Sequence, residues 1–230
     1  GPMGFPLDPI SGAEGYLAIS TPCPEMATDR TPWATWTFAP DQVDEAAQAA
    51  ADLDQQGRNV YLRNSLVRDP LPNNGRGWSS LRGRAEATGA VVALAVDLDV
   101  AGPGHRNGNG DHPLPDTFEE ALAIVSELPP PSMTITTGGG GHLWWLLDEP
   151  VYDDAVVVLT DWHDRIKHAG ARHQLHVDPP DTARVLRMAG THRRKPGVPV
   201  NKVTLVDVGG GSLDDIAQRV LDRIGEDPDP

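Results

Sequence analysis

Two aspartates, Asp97 and Asp99, close the apolar run AVVALAVDLDV at positions 90–100. In a strand, residues two apart point to one face, so both carboxylates would project together. Two like charges that close repel unless a cation stands between them, and oxygen donors of this kind suit Mg2+ or Mn2+. A strand end running into an acidic turn carries the same D-x-D pattern, and the motif alone leaves both readings open. A second stretch, SMTITTGGGGHLWWLLDEP at 132–150, sets four glycines between two strand-like runs and a histidine at the head of the second. Gly139, Gly140 and Gly141 would let backbone N–H groups approach an anion, and they would equally serve a plain hairpin. Alternation puts His142, Trp144 and Leu146 on one face and Leu143, Trp145 and Leu147 on the other. The tryptophans are expected in the core, with base stacking on Trp144 as the alternative.

A third stretch, LHVDPPDTARVLRMAGTHRRKPG at 175–197, ends a short apolar run at Asp178, then supplies Arg184, Arg187, His192, Arg193, Arg194 and Lys195. A third carboxylate followed by cations is what a metal-bound triphosphate requires: acids for the ions, cations for the outer phosphate oxygens. A turn and a solvated loop is the plainer reading. No nucleophile elbow, phosphate-binding P-loop or H-E-x-x-H zinc motif occurs in the chain. The Gly/Arg-rich GRGWSSLRGR at 75–84 suits contact with a nucleic-acid template.

These residues need a scaffold, and 230 residues suffice for one large domain with a real core. No apolar run approaches the ~18–20 residues of a membrane span. The lone cysteine, Cys23, excludes an internal disulfide and a cysteine zinc cluster, and suits a reducing cytoplasm. A net charge of −14 argues at first against a nucleic-acid partner. The charge is uneven, however: residues 161–202 hold nine Lys/Arg against four acids, enough to hold phosphate locally.

Strands are expected at 16–20, 34–38, 59–63, 90–100, 133–137, 142–147, 174–178, 183–188 and 202–208, each short, apolar and bounded by turn residues. Helices are expected at 41–57, 117–128, 153–170 and 212–224, with Thr117 and Glu120 forming a capping box and Gly57 and Gly170 as stops. Long polar loops fill 64–84 and 101–116. The order reads as α+β with mixed or antiparallel sheet. Residues 1–12 read as a disordered leader, with Gly1 and Pro2 left by protease cleavage ahead of Met3. Residues 13–210 read as the catalytic domain, 211–224 as a C-terminal helix and 225–230 as an acidic tail.

Taken in order, DLD (97–99), TGGGGHLWW (137–145), HVD (176–178) and ARVLRMAGTHRRKPG (183–197) resemble the motifs of the archaeo-eukaryotic primase superfamily. The likeness is to the bifunctional DNA primase/polymerase domain of plasmids, phages and integrated elements, and it covers roughly residues 55–205. The chain departs from that pattern at Gly140, where Ser or Thr is frequent, and at Ala189, where Pro is usual. The resemblance implies an RRM-like palm with an N-terminal α/β unit, forming one primase-polymerase core. It implies two divalent ions, Mg2+ or Mn2+, held by Asp97, Asp99 and Asp178, with His142 on the triphosphate or sugar. Nucleotide contacts would come from Gly139, Gly140, Gly141, His142, Arg187 and Lys195, with Arg184 the weaker candidate. The implied partners are a single-stranded DNA template, NTPs or dNTPs and a helicase domain or subunit, in a bacterial cytoplasm and without a membrane. A non-catalytic DNA-binding initiator module and a metal-dependent nuclease or phosphohydrolase stand as alternatives.

Overall fold

A computed structural model describes residues 13–23, 33–73, 75, 77–102, 113–152, 155–177, 181 and 183–208, without the side chains at 148, 156, 207 and 208. The expected leader, Asp178, the expected C-terminal helix and the acidic tail lie outside the described residues. The elements are β1 (Leu17–Pro22), β2 (Trp33–Phe38), α1 (Val43–Gln55), β3 (Tyr61–Arg63), β4 (Leu66–Val67), β5 (Thr88–Asp99) and α2 (Phe118–Ile124). They continue with β6 (Met133–Thr136), β7 (Gly140–Val151), α3 (Ala155–Arg172), β8 (Val185–Arg187), β9 (His192–Arg193), β10 (Asn201–Lys202) and β11 (Thr204–Val208). One sheet has the order β2-β1-β3-β8, a second β11-β6-β7-β5-β4, and β9 and β10 form a separate ribbon. Every strand pairing among the described residues is antiparallel, so the α+β class holds with the antiparallel of the two expected sheet types. No helix of the described residues is long and apolar enough to cross a membrane.

Local chemistry explains most boundaries. The Thr117 hydroxyl accepts from the Glu120 N–H at 3.1 Å, while the Glu120 carboxylate accepts from the Asp116 N–H at 2.8 Å. This reciprocal cap starts α2. The helix stops at Ile124 rather than 128, because Val125, Ser126 and Leu128 close tighter bonds to carbonyls three residues back. Helix α3 runs past the expected stop at Gly170 to Arg172. Gln174 takes the left-handed cap instead (φ 56), and Leu175 N–H closes onto the Gly170 carbonyl at 3.0 Å.

Two expectations fail for tertiary reasons, and one ribbon was not expected. The described part of 174–178 is not a strand, since the His176 N–H goes to the Pro113 carbonyl rather than to a neighbouring strand. The 64–84 loop contains β4, and Ser79 in it exchanges backbone hydrogen bonds with Thr35. The two-residue strands β9 and β10 exist only through their mutual pairing.

Packing follows the alternation of β5. Val96 and Leu98 point to one side, where Leu143, Trp145, Ala121 and Ile124 of α2, and Trp162 and Ile166 of α3 bury them. The Trp145 and Trp162 rings meet edge to face at 4.7 Å. Each such buried side chain contributes about 1.5–3 kcal/mol. Ala93 and Ala95 point to the other side, against Ile135, Trp144, Val203 and Leu186 of β8. Helix α1 covers the first sheet through Ala46, Ala50 and Leu53 on Ile19 and Val60. The acid-bearing strand is thus anchored from behind by two helices, and its front faces the β8 edge of the other sheet.

Candidate active site

From Ala93 onward β5 pairs with β7 residue by residue, placing Asp97 opposite His142 and Asp99 opposite Gly140. By alternation both acids share the Ala93–Ala95 face, and directly opposed His142 joins them. His142 Nε2 lies 3.6 Å from Asp97 Oδ1, and Arg184 Nη2 lies 3.9 Å from Asp97 Oδ2. Both contacts are beyond hydrogen-bond reach and act through space. His142 is 1% exposed and Asp97 24%. Burial, and next the charge of Arg187, pushes the His142 imidazole down to about 3 against the opposing pull of Asp99. The ring is therefore neutral at ordinary pH, and its buried Nδ1 makes no well-formed hydrogen bond to a described residue.

The cations come from the other direction. Arg187 on β8 lies over the Tyr61 ring at 5.3 Å, and its buried Nε has no hydrogen-bond partner among the described residues. Arg193 on β9 is buried, and burial followed by the charge of Arg187 lowers its proton affinity. Burial followed by the charge of Arg193 does the same to Lys195, and Asp99 opposes both shifts. Arg193 and Lys195, whose proton affinities burial and neighbouring cations lower while Asp99 opposes the shift, form a site that gains from an added anion.

A clamp fixes this cationic segment. The buried Asp54 carboxylate, near the end of α1, accepts from the His192 N–H at 2.8 Å, from His192 Nδ1 at 2.7 Å and from Arg194 Nη1 at 2.5 Å. Asn59 and Arg194 exchange two further bonds of 2.7 Å each. Burial raises the Asp54 pKa, but the hydrogen bonds to Arg194 and His192 outweigh it and leave the carboxyl below its usual range. Of the four residues in HRRK, His192 and Arg194 are thus spent on Asp54, and Arg193 is buried. Period-two alternation in that short segment was the available signal for Arg193. Asp54 gave none, because it reads as one more acid in a helix rich in them.

The glycine run is a hairpin. Thr137 N–H donates to the Gly140 carbonyl at 3.0 Å, and Val100 N–H donates to the Gly139 carbonyl at 3.2 Å. Gly140 has φ +133, and a Cβ there would stand 2.1 Å from the Leu98 carbonyl. A Cβ on Gly141 would meet the Ile135 carbonyl and the Phe118 ring at 2.5 Å. These two glycines let β7 close on β5 beside Asp99, which suffices to explain the absence of a hydroxyl at 140. Trp144 and Trp145 are both buried, as expected of core residues.

The donor chemistry fits divalent ions in one respect: Asp97 and Asp99 share a face, and Asp97 is open to solvent. Among the described residues no group of three or more His, Cys, Asp or Glu is arranged to hold a metal ion by itself. The expected third carboxylate, Asp178, is outside the described residues, although Val177 before it packs against the cluster containing Leu98.

No protein-family model matches the chain, and no curated protein matches it in sequence. Two solved structures are similar in fold. The AEP domain of the cyanophage S-2L primase-polymerase (PrimPol) matches at TM-score 0.52 and 19% identity, over 93% of this chain and 92% of that one. A primase, RepB', matches at TM-score 0.50 and 14% identity, over 95% of this chain and 62% of that one. At such identities the likeness is one of architecture: the chain has an archaeo-eukaryotic primase-type fold.

Proposed function

We propose that the chain is a template-directed nucleotidyltransferase, a DNA primase and polymerase that makes and extends primers on single-stranded DNA. The observation carrying this reading is the juxtaposition of Asp97 and Asp99, on one face of β5, with His142 and Arg184 beside Asp97 at 3.6 and 3.9 Å, and with Arg193 and Lys195 coupled by charge to Asp99. The fold's likeness to a primase-polymerase domain supports it. Asp97, Asp99 and Asp178 are the residues to hold two Mg2+ or Mn2+ ions. Bound there, the ions supply an activated 3′-hydroxyl and charge stabilisation at the departing pyrophosphate.

The chain's own residues do the rest by positioning and electrostatics. Arg187 and Lys195 hold phosphate oxygens, with Arg193 reinforcing the positive field behind them. Neutral His142 hydrogen-bonds the triphosphate or sugar without adding charge. The glycine hairpin at 138–141 keeps β7 close enough to set His142 beside Asp97. The Asp54 clamp holds in place the segment that carries Arg193 and Lys195, whose charges reach Asp99. The setting is replication of a phage, plasmid or integrated element, with a helicase domain or subunit as partner.

The test incubates the protein with single-stranded DNA, NTPs or dNTPs, and Mn2+ or Mg2+, and resolves the products by size. Template-dependent oligomers are expected. Triphosphate consumption without polymer would replace the reading with a phosphohydrolase, and DNA binding with neither would replace it with an initiator module.

A further inference from the structure

The GRGWSSLRGR segment and Trp33 have no part in the chemistry above, yet the fold joins them to it. The Arg82 guanidinium lies 5.2 Å from the centre of the Trp33 ring. Trp33 meets Tyr61 edge to face at 5.4 Å, and Arg187 lies over Tyr61. Strand register explains the alignment: Trp33 pairs with Pro22, Tyr61 with Ser20, and Tyr61 with Arg187, so Trp33, Tyr61 and Arg187 share one face of the first sheet. The row runs cation, ring, ring, cation across that sheet and ends at Arg187, within the candidate site.

The outer end is held firmly. Buried Arg63 donates to the carbonyls of Gly83 and Arg84, each at 3.1 Å, and to the Thr88 hydroxyl at 2.8 Å, fixing the chain directly after Arg82. Before Arg82, Ser79 is bound to Thr35 of β2. All four members of the row are nevertheless partly solvent-exposed. Partly exposed rings flanked by guanidinium groups can take up bases by stacking and phosphates by charge. A duplex hides its base faces, so this surface fits an unpaired strand.

We propose that the Arg82–Trp33–Tyr61–Arg187 row is a binding track for single-stranded nucleic acid. Its use as the route of template or primer to Asp97 and Asp99 rests on the nucleotidyl-transfer reading; the binding itself does not.

The experiment measures anisotropy of a labelled oligothymidylate with the full chain in EDTA, without nucleotide, over a series of salt concentrations. Trp33→Ala is expected to weaken binding roughly tenfold. Trp33→Phe should stay within about threefold of wild type. Arg82→Ala should weaken binding and reduce the salt slope by about one. Arg165→Ala, which removes an exposed α3 cation paired with Asp161, should change nothing. Wild-type affinity in Arg82→Ala and in folded Trp33→Ala would overturn the track, as would equal affinity for a blunt duplex. Because neither metal nor triphosphate is present, failure of primer synthesis would leave this result standing, and loss of the track would leave the catalytic reading standing.

Discussion

The same three residue types meet twice in this molecule, with opposite outcomes. Asp54, His192 and Arg194 form a closed set: the carboxylate is 5% exposed and its partners touch it at 2.5–2.8 Å. Asp97, His142 and Arg184 form an open set: the carboxylate is 24% exposed, with the histidine at 3.6 Å and the arginine at 3.9 Å. Burial is also inverted between the histidines, 24% exposed for His192 and 1% for His142. In the closed set the carboxylate is the buried hub and its hydrogen bonds hold a loop in place. In the open set the histidine is buried and the carboxylate faces outward, where a cationic ligand can reach it. Composition does not separate a structural ion cluster from a chemical one; distance and the direction of exposure do.

That contrast can be broken most forcefully at Asp97. Asp97→Asn should lower primer synthesis on the order of a thousandfold, while the melting temperature stays within about 2–4 °C of wild type. Synthesis assays beside calorimetry would check both halves. Asp54→Ala should do the reverse. It leaves Arg194 and His192 without their carboxylate and should cost about 3–5 kcal/mol in urea unfolding.

A third difference is in the pH response of the metal-free protein. The unfolded chain protonates His142 near its ordinary 6.5, the folded chain only near 3. Stability should therefore fall as pH drops through that window, by up to about 1.4 kcal/mol per unit, and stay flat from this source above it. His142→Asn should remove that slope. The Asp54 contribution, with its folded pKa lowered from 3.8, should be complete above that value and lost only below it. Urea midpoints across pH would resolve the two windows.

Much of the open site was legible because it lies on long strands. Period-two alternation in AVVALAVDLDV and HLWWLL put Asp97 and Asp99 on one face and separated His142 and Trp144 from Leu143 and Trp145, as found; which face meets the helices it did not say. The closed set was not legible. Asp54 is 138 residues from His192 and 140 from Arg194, and β9, which begins at His192, is a two-residue strand made by pairing with β10. The aromatic row escaped for the same reason, since Trp33, Tyr61 and Arg82 meet only once β1 lies between β2 and β3. Gly140 was legible as a glycine but not in its cause: the obstacle to a side chain is the Leu98 carbonyl of a strand 42 positions away.

The most direct measurement is Mn2+ uptake, counted by the electron paramagnetic resonance of free ion during titration. It compares wild type, Asp97→Asn/Asp99→Asn and Asp54→Asn, each shown to be folded. Saturable uptake should be present in wild type and Asp54→Asn and lost in the double variant. Equal uptake by the double variant and wild type would contradict the assignment of metal binding to the open carboxylates.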